Sequence, residues 1–140
     1  MTSNRNTEYA ALLLRLGLGV MFVAHGLMKV SVFTLPGTAQ FFASVGFPGW
    51  LAYPVTFAEI AGGVALITGF ATRWVAAALI PVLLGATAVH LGNGWVFSAP
   101  NGGWEYPAFL TLAALVQVLL GPGAYALRVP AARQPSPSYG

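Results

Sequence analysis

Apolar residues in this chain run in long unbroken stretches rather than in alternation, and the stretches have the length of helices that cross a bilayer. The first spans about 9–30, roughly 33 Å at 1.5 Å per residue, against a hydrocarbon core of ~30 Å. The second spans about 51–70, with Pro54 in its opening turn, where a missing N–H costs little. The third spans about 74–91, and its interior Pro81 predicts a kink near Ala77, whose carbonyl loses its partner. The fourth spans about 106–121 and is cleanly apolar only from Pro107 to Leu120, where Gly121-Pro122-Gly123 stops it. Residues 1–8 are polar, and Arg15 interrupts the apolar run that follows. No small-residue cleavage pattern closes that run, so it reads as a retained span and not as a signal peptide.

Between the first two spans, residues 31–50 are too short and too broken to cross. Thr38 is positioned to cap a short helix whose Phe41, Phe42 and Val45 share a face, with Gly46 ending it. The expected architecture is all-α: a four-transmembrane-helix bundle over 1–128, with a short interfacial helix between spans one and two. Residues 129–140, rich in Pro and Ser, are expected to form a disordered cytoplasmic tail.

Composition agrees with this reading and removes other classes. Of 140 residues, 57% are hydrophobic and 6% charged, where a soluble domain carries about 25% charged residues. The net charge of +3 comes from six cations and three acids with no basic cluster, which excludes a nucleic-acid surface. Cysteine is absent, so disulfides, thiolate metal sites and dithiol relays from this chain's own side chains are excluded. Arg5, Arg73, Arg128 and Arg133 fall on one side of the predicted bundle. The positive-inside rule then places both termini in the cytoplasm, and the expected location is the plasma membrane. Trp50, Trp95 and Trp104 fall on the opposite side, as an interfacial aromatic belt would. Small residues at Ala58, Gly62, Ala65 and Gly69, with Gly19 and Gly26 in span one, favour close helix packing and carry no chemistry of their own.

The few ionisable groups inside the spans hold the chemistry. A charge at such depth costs about 2.5–3.5 kcal/mol on insertion scales, so it usually faces the bundle interior. His25 and Lys29 lie on span one, on the face that also carries Arg15, Leu18, Phe22 and Gly26. Glu59 lies about 12 Å down span two from Leu51. His90 occupies the last turn of span three. Glu105 precedes span four, where the helix dipole favours a carboxylate. All five fall in the outer half of the predicted bundle. Each has a plainer reading. Arg15 and Lys29 can snorkel to the interfaces, the histidines can be satisfied hydrogen bonders, and Glu105 can be a helix cap. Glu59 is too short to reach water from its depth, so it is paired, protonated or facing a wet cavity.

Several segments together resemble the DoxX family of small four-helix membrane proteins. They are Leu14-Arg15-Leu16 through His25-Gly26-Leu27-Met28-Lys29; Glu59-Ile60-Ala61-Gly62-Gly63; Gly69 with Thr72-Arg73; Val89-His90 with Asn93-Gly94-Trp95; Gly102-Gly103-Trp104-Glu105-Tyr106-Pro107; and Gly121-Pro122-Gly123 with Tyr125. The family pattern continues Tyr-Ser-Leu-Asp after that last motif, whereas this chain has Tyr125-Ala126-Leu127-Arg128. The resemblance implies a membrane subunit of an oxidoreductase, linked to quinone or quinol chemistry or to redox defence.

The leading expectation is a quinone-type site near the outer leaflet. Glu59 and His90 would exchange protons there, with His25, Lys29, Trp95, Trp104, Glu105 and Tyr106 binding the substrate and Phe22 helping to form an apolar slot. No metal site is expected. The chain supplies no electron carrier, so a soluble redox partner protein or a bound cofactor is implied, besides the lipid bilayer and a homo-oligomer. Three alternatives stay open. The chain can be a non-catalytic anchor or assembly subunit, His25 and His90 can be axial haem ligands, or the polar seam can pass a small solute.

Overall fold

The computed structural model describes residues 2–127. Five α-helices follow in order: α1 (Thr2–Ser31), α2 (Leu35–Ser44), α3 (Ala52–Thr68), α4 (Thr72–His90) and α5 (Glu105–Leu120), with single 3-10 turns at Gly49–Leu51 and Leu91–Asn93. No strand occurs among the described residues. Three stretches are long and apolar enough to cross a membrane: Asn4–Ser31, Gly49–Thr68 and Thr72–Asn93. The apolar helix Glu105–Leu120 is shorter. The predicted tail and the two basic residues Arg128 and Arg133 lie outside the described residues.

Helix boundaries follow local chemistry. Helix α1 begins several residues before the apolar run, since nothing in its polar opening breaks a helix. Helix α3 ends in a Schellman motif. Gly69 takes φ 79°, its N–H donates to the Leu66 carbonyl (3.2 Å), and the Phe70 N–H donates to Ala65 (2.9 Å). Helix α4 is continuous from Thr72 to His90 with Pro81 inside it. Helix α5 begins one residue before its expected start and stops at Leu120, before the Gly-Pro-Gly turn.

The cap of α2 is a correction. Thr34, not Thr38, is the N-cap, its Oγ1 accepting from the Gly37 N–H at 3.1 Å. Pro36 in the first turn lets the helix open earlier than expected. Thr38 is buried inside it, donating to the Thr34 carbonyl at 2.8 Å and lying 3.4 Å from the Lys29 carbonyl.

Helices α1 and α3 run antiparallel and nearly touch through glycine. A Cβ at Gly63 would lie 2.7 Å from Val23 Cγ2 and 2.8 Å from the Gly19 carbonyl oxygen. Gly26 faces Ile60 and Glu59 in the same way, whereas Gly62 faces Leu79 of α4. In lipid, such close approach supplies the packing that the hydrophobic effect does not. Gly63→Leu is expected to lower stability by about 1–3 kcal/mol through overpacking, read as a lower melting temperature in detergent. Between the helices, Leu18, Phe22, Leu66, Ala76, Leu79, Leu83, Ala113 and Ala114 form the apolar core.

Arg15 does not snorkel. Its side chain is fully buried (0% exposed) at the end of the bundle that holds the α3 C-terminus. The guanidinium donates to the carbonyls of Leu66 (3.2 Å), Ile67 (2.8 Å), Pro122 (2.8 Å) and Ala124 (2.6 Å). The last turn of α3 and the segment from Pro122 to Ala124 offer carbonyls that the helix ladder leaves wholly or partly free, and the five-donor fork reaches all four. Gln117, also 0% exposed, donates nearby to the Ala11 (3.2 Å) and Gly121 (2.9 Å) carbonyls.

Candidate functional site

At the other end of the bundle, a cavity of ≈ 200 Å³ lies between α1, α3, α4 and α5. Its polar lining is His25, Lys29, Glu59, His90 and Tyr106, and its apolar lining includes Met21, Phe22, Leu83 and Leu110. Antiparallel packing brings these groups together. The C-terminal parts of α1 and α4 meet the middle of α3 and the first turns of α5.

The strongest interaction in the chamber is an ion pair. Lys29 Nζ donates to Glu59 Oε2 at 2.8 Å and to Oε1 at 3.0 Å. The two side chains are 19% and 7% exposed, so the pair sits at the chamber wall, largely away from solvent. Charge-assisted bonds of this length offset much of the desolvation cost of two buried ions. Among the possibilities open for Glu59, pairing with Lys29 is the one observed.

Both histidines hold the same tautomer for the same reason. His25 Nδ1 lies 2.7 Å from the Met21 carbonyl, and His90 Nδ1 lies 2.9 Å from the Ala86 carbonyl, each one helical turn back. A carbonyl only accepts, so each Nδ1 carries the hydrogen, and a neutral ring is left with Nε2 as an acceptor. His25 also packs against Tyr106, with ring centroids 6.1 Å apart, and the Tyr106 hydroxyl reaches Met21 sulfur at 3.5 Å.

Three of the expected substrate-binding residues lie elsewhere. Trp95 and Trp104 stack edge to face at 4.5 Å, in the loop between α4 and α5. Glu105 opens α5 and accepts from the Phe97 backbone N–H at 3.0 Å, which ties that loop to the helix start. Trp95, Glu105 and one side of Tyr106 border a separate shallow depression with Phe97 and Phe109. The loop approaches the chamber at His90 and contributes none of the Trp95, Trp104 and Glu105 side chains to its lining. Backbone bonds from Trp104 to Gly94 (3.0 Å) and from Gly102 to Ala99 (2.8 Å) shape it. Gly102, at φ 80°, lies so close to the His90 ring that a Cβ would sit 3.2 Å from Cδ2.

Met21, Val82 and Ala86 also line the chamber and were not singled out from sequence. Met21 and Ala86 each precede a histidine by four residues, the spacing at which a ring can reach a helix carbonyl, and that spacing was the available signal. Among the described residues, no group of three or more His, Asp or Glu side chains is arranged to hold a metal ion.

The DoxX family model matches residues 10–92. This chain belongs to the DoxX family. The matched stretch of this DoxX protein contains His25, Lys29, Glu59 and His90, so four of the five polar chamber groups fall inside it. The DoxX chain is 41% identical over 83 residues to the "Putative oxidoreductase CatD" of Bacillus subtilis (strain 168), covering 59% of this chain and 60% of that protein. It therefore spans only about 60% of that relative's length. It is 26% identical over 122 residues to the inner membrane protein YqjF of Escherichia coli (strain K12), covering 86% of this chain and 90% of that one. No solved structure matches. Apolar helices of spanning length and family membership together make this a membrane protein of the DoxX family with an oxidoreductase-named relative.

Proposed function

We propose that this DoxX protein is the membrane subunit of an oxidoreductase and binds a quinone-type ring in the chamber, with protons exchanged through Glu59 and His90. The observation that carries this is the convergence of two imidazoles, an ammonium–carboxylate pair and a phenol on one small cavity with apolar walls. Polar groups few in number and set in an apolar slot are what a ring with two opposed oxygens requires. Reduction of such a quinone takes two electrons and two protons, and the product is the quinol. The protein has no dithiol of its own, so the electrons come from a soluble redox partner protein carrying its own cofactor. Neutral His25 and His90 present Nε2 as an acceptor, suited to a quinol hydroxyl. Once protonated, the same nitrogen becomes a donor, suited to a quinone carbonyl. Lys29 polarises a carbonyl, and Glu59 takes up and returns its proton.

In this reading α1, α3, α4 and the shorter α5 all cross, the termini are cytoplasmic, and the chamber opens toward the outer leaflet of the plasma membrane. Arg5 and Arg73 at the Arg15 end, and Trp50, Trp95 and Trp104 toward the chamber end, support that orientation. Trp95, Trp104 and Glu105 then shape the loop over the ring.

Glu59→Gln and His90→Ala, each in the reconstituted membrane complex, are expected to lower quinone-coupled turnover per assembled complex by about 10²-fold or more. Unchanged turnover in both removes the proton role. One observation favours a second reading, an anchor or assembly subunit: Lys29 and Glu59 also tie α1 to α3. That reading predicts loss of assembled complex with normal turnover in whatever assembles.

A further inference from the structure

The chamber does not end at its own walls. A second void of ≈ 330 Å³ lies beneath α2, and a third of ≈ 390 Å³ runs between α2, α3 and α4. Lys29 and His90 border all three, while Val82 and Ala86 are shared by the chamber and the third void. The third void is a groove with largely apolar walls, among them Val45, Phe47, Val55, Pro81, Gly85 and Val89. Pro81, Val45 and Phe47 are exposed along it. Gly85 leaves a gap in the floor, since a Cβ there would meet nothing within 4 Å.

The loop between α4 and α5 closes over His90 through Gly102, and α2 is held against the end of α1 through Thr38 and the Lys29 carbonyl. The groove adjoins the chamber at Lys29, Val82, Ala86 and His90 and is bounded by α2, α3 and α4. A cavity of ≈ 200 Å³ is also smaller than the roughly 300–1,000 Å³ of ordinary ligand pockets, so it takes one ring and leaves no room for a long substituent.

Resting on the quinone reading above, we infer that the groove between α2, α3 and α4 is a lateral portal, and that the ligand is an alkyl- or prenyl-tailed quinone whose tail lies in the groove while its ring occupies the chamber. Lipid is as apolar as the groove, so the groove contributes little driving force. It contributes a path. A tailed ligand bound in the chamber must leave its tail along Gly85, whereas a ring without a tail needs no such path.

The test uses the full chain in nanodiscs and two tritiated benzoquinones, one decyl-tailed and one with a methyl in its place, each corrected for partition into empty nanodiscs. Gly85→Leu fills the gap without an initial clash. It is expected to weaken binding of the decyl compound about tenfold or more and to leave the methyl compound unchanged, while Gly85→Ala changes neither. Val45→Trp blocks the groove from the α2 side and should act in the same way, which keeps the test valid should Gly85→Leu fold poorly. Two outcomes overturn the portal alone: both compounds bind each blocked variant as they bind the unaltered protein, so that the groove holds only lipid chains, or both compounds are weakened equally. Failure of the unaltered protein to bind either compound overturns the quinone reading itself, and the portal with it.

Discussion

Lys29→Met is expected to lower stability by about 3–5 kcal/mol, and Lys29→Met with Glu59→Leu to recover most of that loss. The single change leaves the Glu59 carboxylate, 7% exposed, without the ammonium that donates to both of its oxygens. An unpaired buried carboxylate must take up a proton or draw in water, and either route costs folding free energy. The double change removes both ions and fills the space with apolar atoms, an exchange that is often neutral or better. Melting temperatures of all three variants in one detergent complete the cycle. Turnover of the double variant then separates the two functional readings. A stable double variant without quinone-coupled turnover makes the pair part of the site, and one with full turnover makes it only a tie between α1 and α3.

The second large effect is at the opposite end. Arg15→Leu is expected to cost at least about 3 kcal/mol and to expose the Gly-Pro-Gly turn to proteolysis, because four carbonyls lose the guanidinium in a place water does not readily enter. Arg15→Lys should recover only part of this. An ammonium presents three donors from a point, whereas the observed partners come from two separate segments and need the planar fork. Limited proteolysis followed by mass mapping checks the site of opening, and thermal melting checks the size. Full stability in Arg15→Leu would mean that the turn holds itself.

Much of the architecture is legible in residue order, because spanning helices are set by one strong pattern. Gly69 and Gly121 mark helix ends through their freedom at positive φ, and the apolar runs between such breaks match α3, α4 and α5 to within a few residues. The inward face of α1, from Arg15 to Lys29, follows from helical spacing alone, and Leu18 and Phe22 are indeed buried on it. What spacing cannot deliver is the partner across the interface. Lys29 and Arg15 look alike in sequence, two cations near the ends of one helix. One pairs with a carboxylate and the other with backbone carbonyls, because only the tertiary fold decides what each one meets. Thr34 and Thr38 differ by one turn, and Pro36 settles the cap between them. Trp104 and Glu105 share a motif with Tyr106, and Trp95 belongs to the motif before it, yet none of the three lines the chamber that Tyr106 lines.

The unequal lengths of the helices bear on the lipid around them. Helix α5 has 16 residues and α1 has 30, which is about 24 Å against about 45 Å of axial rise. A bilayer of constant thickness cannot match both. With all four helices crossing as proposed, the acyl chains beside α5 must shorten or splay, while α1 can tilt or extend into the headgroups. The protein thus imposes an asymmetric collar on its membrane. Acyl-chain length becomes a setting on the angle between α5 and its neighbours, and through Tyr106 on the shape of the space where His25 sits.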